Sequence, residues 1–177
     1  MKTKLFILAL TVLLSVNIFA QDNPDLAAMY EADQSSRRGE SLDFDAIAAQ
    51  DTEHRAKVME ILGEGKVRTA ADYYNAAMIF QHGASAEEIR LAHAFATISS
   101  ALGRSESNWL KAASWDRLML RFERPQWYGT QFITDESGTT KLYDVEPNAV
   151  TDEQRTAWSV PTLEQAEAFV RQINGNR

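Results

Sequence analysis

The sequence predicts a mainly α-helical domain of about six helices, with a small β-hairpin near residues 128–145. Three observations point there. Apolar residues recur at three-and-four spacing through most of the first two thirds of the chain. Ser/Thr-x-x-Glu/Gln capping boxes stand at 85–88, 151–154 and 162–165. Two short β-prone runs flank a turn-forming Asp135-Glu136-Ser137-Gly138.

Residues 1–20 read as a secretory signal peptide rather than as part of the fold. Lys2 and Lys4 precede an apolar run from Leu5 to Leu14, and Ala20 offers a small residue before polar Gln21-Asp22. Residues 21–177 then form a single mostly helical domain, periplasmic or secreted, with no membrane span after cleavage.

The first helix is announced by Asn23-Pro24, a cap followed by a proline at the first helical position, and Gly39 is its expected end. Residues 41–50 leave their state open, and Thr52 to Leu62 reads as a second helix stopped at Gly63-Glu64-Gly65. The third, Thr69 to His82, is apolar nearly all round and so expected to be central. The capping box at Ser85 opens a helix whose Ala92, Ala96 and Ala101 permit close packing. A fifth starts near Ser105 or Ser107 and stops before Pro125. Thr151 and Thr162 cap a short helix and a C-terminal one.

Composition narrows the function classes. The formal charge is −7, and loss of Lys2 and Lys4 makes the exported chain more acidic still. Such a surface disfavours nucleic acid, which needs basic contacts to phosphate. There are no cysteines and only three histidines, so neither disulfides nor a structural zinc site is expected. No phosphate loop, nucleophile elbow or His-Glu-x-x-His is present, and no cofactor is implied.

Polar residues appear where apolar ones belong. Asp116 shares a helical face with Trp109, Ala112, Ala113 and Leu120, and a buried carboxylate needs an answering donor. Arg117 stands beside it. Gln81 and His82 end the buried third helix. In Arg124-Pro-Gln-Trp-Tyr-Gly-Thr-Gln-Phe132, strand alternation would set Tyr128, Thr130 and Phe132 on one side, opposite Trp127, Gly129 and Gln131. Gln126 and Gln131 are amides fixed on stiff backbone, able either to tie chain ends or to hold a polar ligand.

At these positions the chain resembles a bacterial family of unknown function, domain-of-unknown-function family 6624. The matching residues are Asp33, Gln34 and Arg37; Gln81 and His82; Asp116 and Arg117; and Gln126, Tyr128, Gly129, Thr130 and Gln131. The resemblance covers about residues 26–170, with Gly65-Lys66-Val67 where members often carry Gly-Trp-Pro. It implies candidate positions and no mechanism.

The expected function is binding of a polar or peptide-like small ligand, or a protein partner, through Gln81, Arg117, Gln126, Tyr128 and Gln131. The competing reading is a hydrolase with His82 as general base near its ordinary pKa and Asp116 orienting it. A third is that the cluster is purely structural. The hairpin is expected to dock on the ends of the third and fifth helices and so to bring Gln126, Tyr128 and Gln131 near Gln81, His82, Asp116 and Arg117.

Overall fold

The computed structural model describes residues 20–38 and 42–175, so the expected signal peptide, apart from Ala20, and the helix-ending Gly39 lie outside the described residues. Among the described residues there are seven helices and one two-stranded antiparallel hairpin: α1 (Pro24–Ser36), α2 (Phe44–Gly63), α3 (Ala70–Phe80), α4 (Ala86–Ala101), α5 (Ser107–Arg121), β1 (Phe132–Thr134), β2 (Thr140–Leu142), α6 (Asp152–Ala157) and α7 (Leu163–Gly175). No described helix is long and apolar enough to cross a membrane.

Local chemistry sets the helix starts. The Asn23 side chain accepts from the Asp25 and Leu26 amides, and Pro24 follows with its φ already helical. At α3, Thr69 and Asp72 form a reciprocal capping box. Asp72 is fully buried, and it also accepts from the Asn23 amide at 2.6 Å, which pins the start of α1 to the start of α3. The boxes expected at Ser85–Glu88 and Thr151–Gln154 are both formed. The stretch left open at 41–50 belongs largely to α2, because Asp43 caps the Ala46 amide and starts that helix at Phe44.

Helix α3 lies at the centre, in contact with α1, α2, α4 and α5. Its near-uniform apolarity is explained by that position. Ala76 and Ala77 of α3, Ala92 and Ala96 of α4, and Ala112 and Ala113 of α5 are all fully buried, and their small side chains permit the closest of these packings. Leu26, Val58, Ile79, Phe80, Phe95 and Leu110 fill the remaining core. Each full-sized apolar side chain there contributes on the order of 2 kcal/mol.

The hairpin is short. Phe132, Ile133 and Thr134 pair with Leu142, Lys141 and Thr140. Helix α7 closes over it: the Asn174 side chain accepts from the Thr140 amide and donates to the Thr140 carbonyl, and Phe169 meets Phe132 edge-on. The strand expected to begin at Tyr128 begins instead at Phe132. Residues 126–131 form an irregular loop, entered by a single parallel bridge from Gln126 to Val145. The reason is Asp116, which draws that loop's amides toward itself.

Candidate functional site

Helix α5 presents Asp116 and Arg117 to two different neighbourhoods. Asp116 is 0% exposed. One of its oxygens accepts from the Trp127 and Tyr128 amides at 2.8 and 2.9 Å. The other accepts from the Thr130 amide at 3.0 Å and the Thr130 hydroxyl at 2.8 Å. Burial raises its pKa above the ordinary carboxylate value, and these four donors pull against that rise. All four contacts are donors, which a carboxylate satisfies without a proton of its own.

The loop around Asp116 is locked from every side. Gln126, 0% exposed, donates to the Gln131 and Tyr143 carbonyls and accepts from the Gln131 amide at 2.8 Å. Arg155 of α6, also buried, donates to the Trp127 and Tyr128 carbonyls at 3.0 Å each. The Tyr128 ring stacks on Trp158 at 4.9 Å. Gly129 makes the bend: its φ is +84°, and a Cβ there would lie 2.9 Å from the Leu163 side chain.

Arg117 turns the other way. Its Nε donates to the Gln131 side-chain oxygen at 3.1 Å, and its Nη1 donates to the main-chain and side-chain oxygens of Gln81 at 2.9 and 3.0 Å. It thus ties the loop to the end of α3, joining three of the sequence-predicted stretches at one guanidinium. Gln131 in turn donates to the Thr130 hydroxyl, connecting this group back to Asp116.

His82 follows Gln81, with its side chain 23% exposed. Its Nε2 is buried without a hydrogen-bond partner and stands 3.7 Å from an Asp33 oxygen. Asp33 is 1% exposed on α1. It accepts from Arg37 and from Gln34, each at 2.8 Å. Arg37 continues to both Asp51 oxygens at 2.7 Å. Beside them Arg55 of α2 meets Glu88, the third residue of α4, whose side chain completes the capping box with Ser85, at 2.8 Å. Gly83 completes the turn: a side chain there would collide with Glu88, which holds the α3–α4 corner closed.

Between these groups is a cleft of about 410 Å³, walled by Gln81, His82, Gly83, Arg117 and Arg121, with Ile89 and Leu120 as its apolar part. Burial, together with the guanidiniums of Arg37 and Arg117, holds the His82 pKa down to about 4. The imidazole is therefore neutral at pH 7.

Two sequence-based role assignments change. Asp116 does not orient His82: all its bonds go to the 127–130 loop, and the carboxylate facing His82 is Asp33. Nor does His82 titrate near its ordinary pKa. Gln126 and Tyr128, expected to face a ligand, are buried inside the loop's own bonding. Gln81, His82 and Arg117 line the cleft, and Gln131 supports Arg117 from behind. Glu88 was anticipated only as half of the capping box at 85–88; Asp51, Arg55 and Arg155 were not anticipated. The i, i+3 spacing of Asp152 and Arg155 was a readable signal for the last of these; Asp51 and Arg55 meet their partners across 14 and 33 residues, with no local pattern.

Among the described residues no cluster of three or more His, Cys, Asp or Glu is arranged to hold a metal ion. Compared with known proteins, the chain matches no family model, no curated protein and no solved structure.

Proposed function

We propose that this is an exported domain that binds a small polar ligand in the cleft between the end of α3 and the C-terminal end of α5, through Gln81, His82 and Arg117. The observation that carries the reading is incomplete satisfaction. Buried polar groups are almost always bonded, yet among the described residues five buried side-chain nitrogens, on His54, Arg55, His82, Arg104 and Trp115, have no hydrogen-bond partner, and of these residues only His82 lines the cleft. Among the described residues Arg117 meets no carboxylate within ion-pair distance. Groups left poised in a cleft are what a binding site requires and what a structural lock avoids. The cleft's volume is in the usual range for small-molecule sites. The residues of the family 6624 resemblance supply most of its polar wall and its support.

The test is a thermal-shift screen of small polar metabolites on the chain without residues 1–20. A ligand of this site raises Tm in the unaltered protein and loses that effect in Arg117→Gln, because only the native state binds it. If His82→Ala and Arg117→Gln each lose several kcal/mol without ligand, the cluster is a structural lock and the reading fails.

A second reading, hydrolysis, is favoured by one distance: Asp33 lies 3.7 Å from His82, an acid–histidine pairing in which His82 is the base and Asp33 its orienting partner. Its expected signature is a rate that rises with pH from the acid side. Activity unchanged in His82→Gln sinks it.

A further inference from the structure

The cleft is cationic in an acidic protein. Around it stand Arg37, Arg55, Arg117 and Arg121, against Asp33, Asp51 and Glu88. Arg37 spans both aspartates and Arg55 takes Glu88, so two guanidiniums engage the three carboxylates and leave one negative charge over, which Arg117 and Arg121 together outweigh. Arg117 is held only by neutral oxygens, those of Gln81 and Gln131. Among the described residues its Nη2 makes no hydrogen bond. Arg121, with Nη2 on the Gly83 carbonyl at 3.2 Å, is likewise matched to a neutral oxygen. With His82 neutral, the neighbourhood carries one more positive charge than negative, in a chain whose formal charge is −7. A guanidinium drawn partly out of water without a counter-ion is unfavourable, and here it is kept in place by two amides.

We infer that the ligand of this cleft is a monoanion, a carboxylate with a short apolar tail, seated on the free edge of Arg117 beside His82 and Arg121. This rests on the proposed binding function and names its ligand class. The single excess charge suits one carboxylate better than a phosphate dianion. Guanidinium–carboxylate contacts are among the stronger polar contacts available to a small ligand. Ile89 and Leu120 supply the apolar surface for the tail. The neutral imidazole of His82 offers its ring without adding charge.

The experiment titrates the unaltered protein with sodium butyrate, its neutral isostere butyramide, and inorganic phosphate, reading the His82 ring protons and the Arg117 Nε–H by NMR. Butyrate is expected to shift both sets saturably, and butyramide is expected to leave them unmoved. Binding should also raise the His82 pKa above its ligand-free value, since a neighbouring anion favours the imidazolium. Arg117→Gln should weaken butyrate about tenfold or more; Arg121→Gln, a milder change at an exposed residue, should weaken it severalfold. If butyramide binds as well as butyrate, the monoanion inference is overturned while the binding function stands. Tighter binding of phosphate than of butyrate overturns the choice of a carboxylate. If no probe moves either residue, the monoanion inference is overturned, and the binding function is decided by the thermal-shift screen.

Discussion

Asp116 and His82 are both polar residues set against a helical core, and they could hardly be treated more differently. Asp116 receives four hydrogen bonds from one loop, and the neighbouring Gln126 and Arg155 are likewise engaged with main-chain groups. His82, the neighbour of the Gln81 on which the chain from Asp116 through Thr130, Gln131 and Arg117 ends, leaves its buried ring nitrogen without a partner. The difference separates two uses of buried polarity. Around Asp116 it substitutes for secondary structure, folding six residues that have no ladder of their own. Around His82 it preserves unmet bonding capacity at a cleft. On the proposed reading, the complete end of this network is the rigid support and the open end is the site it carries.

The sharpest way to break this comparison is to remove Asp116. Asp116→Ala orphans three loop amides and a hydroxyl inside the protein, so the expected loss is about 3–5 kcal/mol, read by urea denaturation. A loss under about 1 kcal/mol would mean the loop is held by Trp127, Tyr128 and Trp158 packing alone, and the lock would not exist. Next is Gln126→Leu, similar in volume and lacking the amide. It takes the side-chain partner from the Gln131 amide and the Tyr143 carbonyl, while the Gln131 carbonyl keeps the Tyr143 amide, for an expected loss of about 2–3 kcal/mol. Arg117→Met sharpens the other side. It removes three hydrogen bonds to neutral oxygens but also an unmatched charge, so the expected change is within about 1 kcal/mol. A loss as large as that of Asp116→Ala would place Arg117 with the lock.

How much of this was legible depended on whether the signal was local. Helices α4, α6 and α7 were announced by capping boxes, and α3 by its unbroken apolarity, because caps and periodicity act within a few residues. That Asp116 must be answered followed from helical spacing; what answers it did not. Period-two alternation suggested a strand through Tyr128 to Gln131, whereas a carboxylate eleven to fourteen residues upstream captures that backbone. The same limit explains the exchange of Asp116 for Asp33 beside His82. Asp116 lies nearer in sequence, and only the packing of α1 on α3 brings Asp33 to the ring. Arg37 shows the intermediate case: its partner Asp33 is readable at i, i+4, and its partner Asp51 is not.

The smallest expected effect is the most diagnostic. At pH 7 His82→Gln should change stability by no more than about 1 kcal/mol, because the histidine it replaces is neutral and its buried nitrogen unbonded. Lowering the pH should then separate the two proteins. The folded-state pKa of His82 is depressed to about 4 from the ordinary 6.5. Between those values the unfolded chain binds a proton that the folded chain does not. Stability from this group is therefore fully present above pH 6.5 and is lost as pH falls toward 4. Asp33 and Asp116, whose pKa values burial raises, act in the opposite sense, but they are present in both proteins and drop out of the difference. At pH 5 the variant should be the more stable, by at most about 2 kcal/mol, each pH unit being worth about 1.4. Parallel stability curves from pH 7 to pH 4.5 would mean that His82 titrates as it does in water, bonded and hydrated, and the contrast with Asp116 would lose its open end.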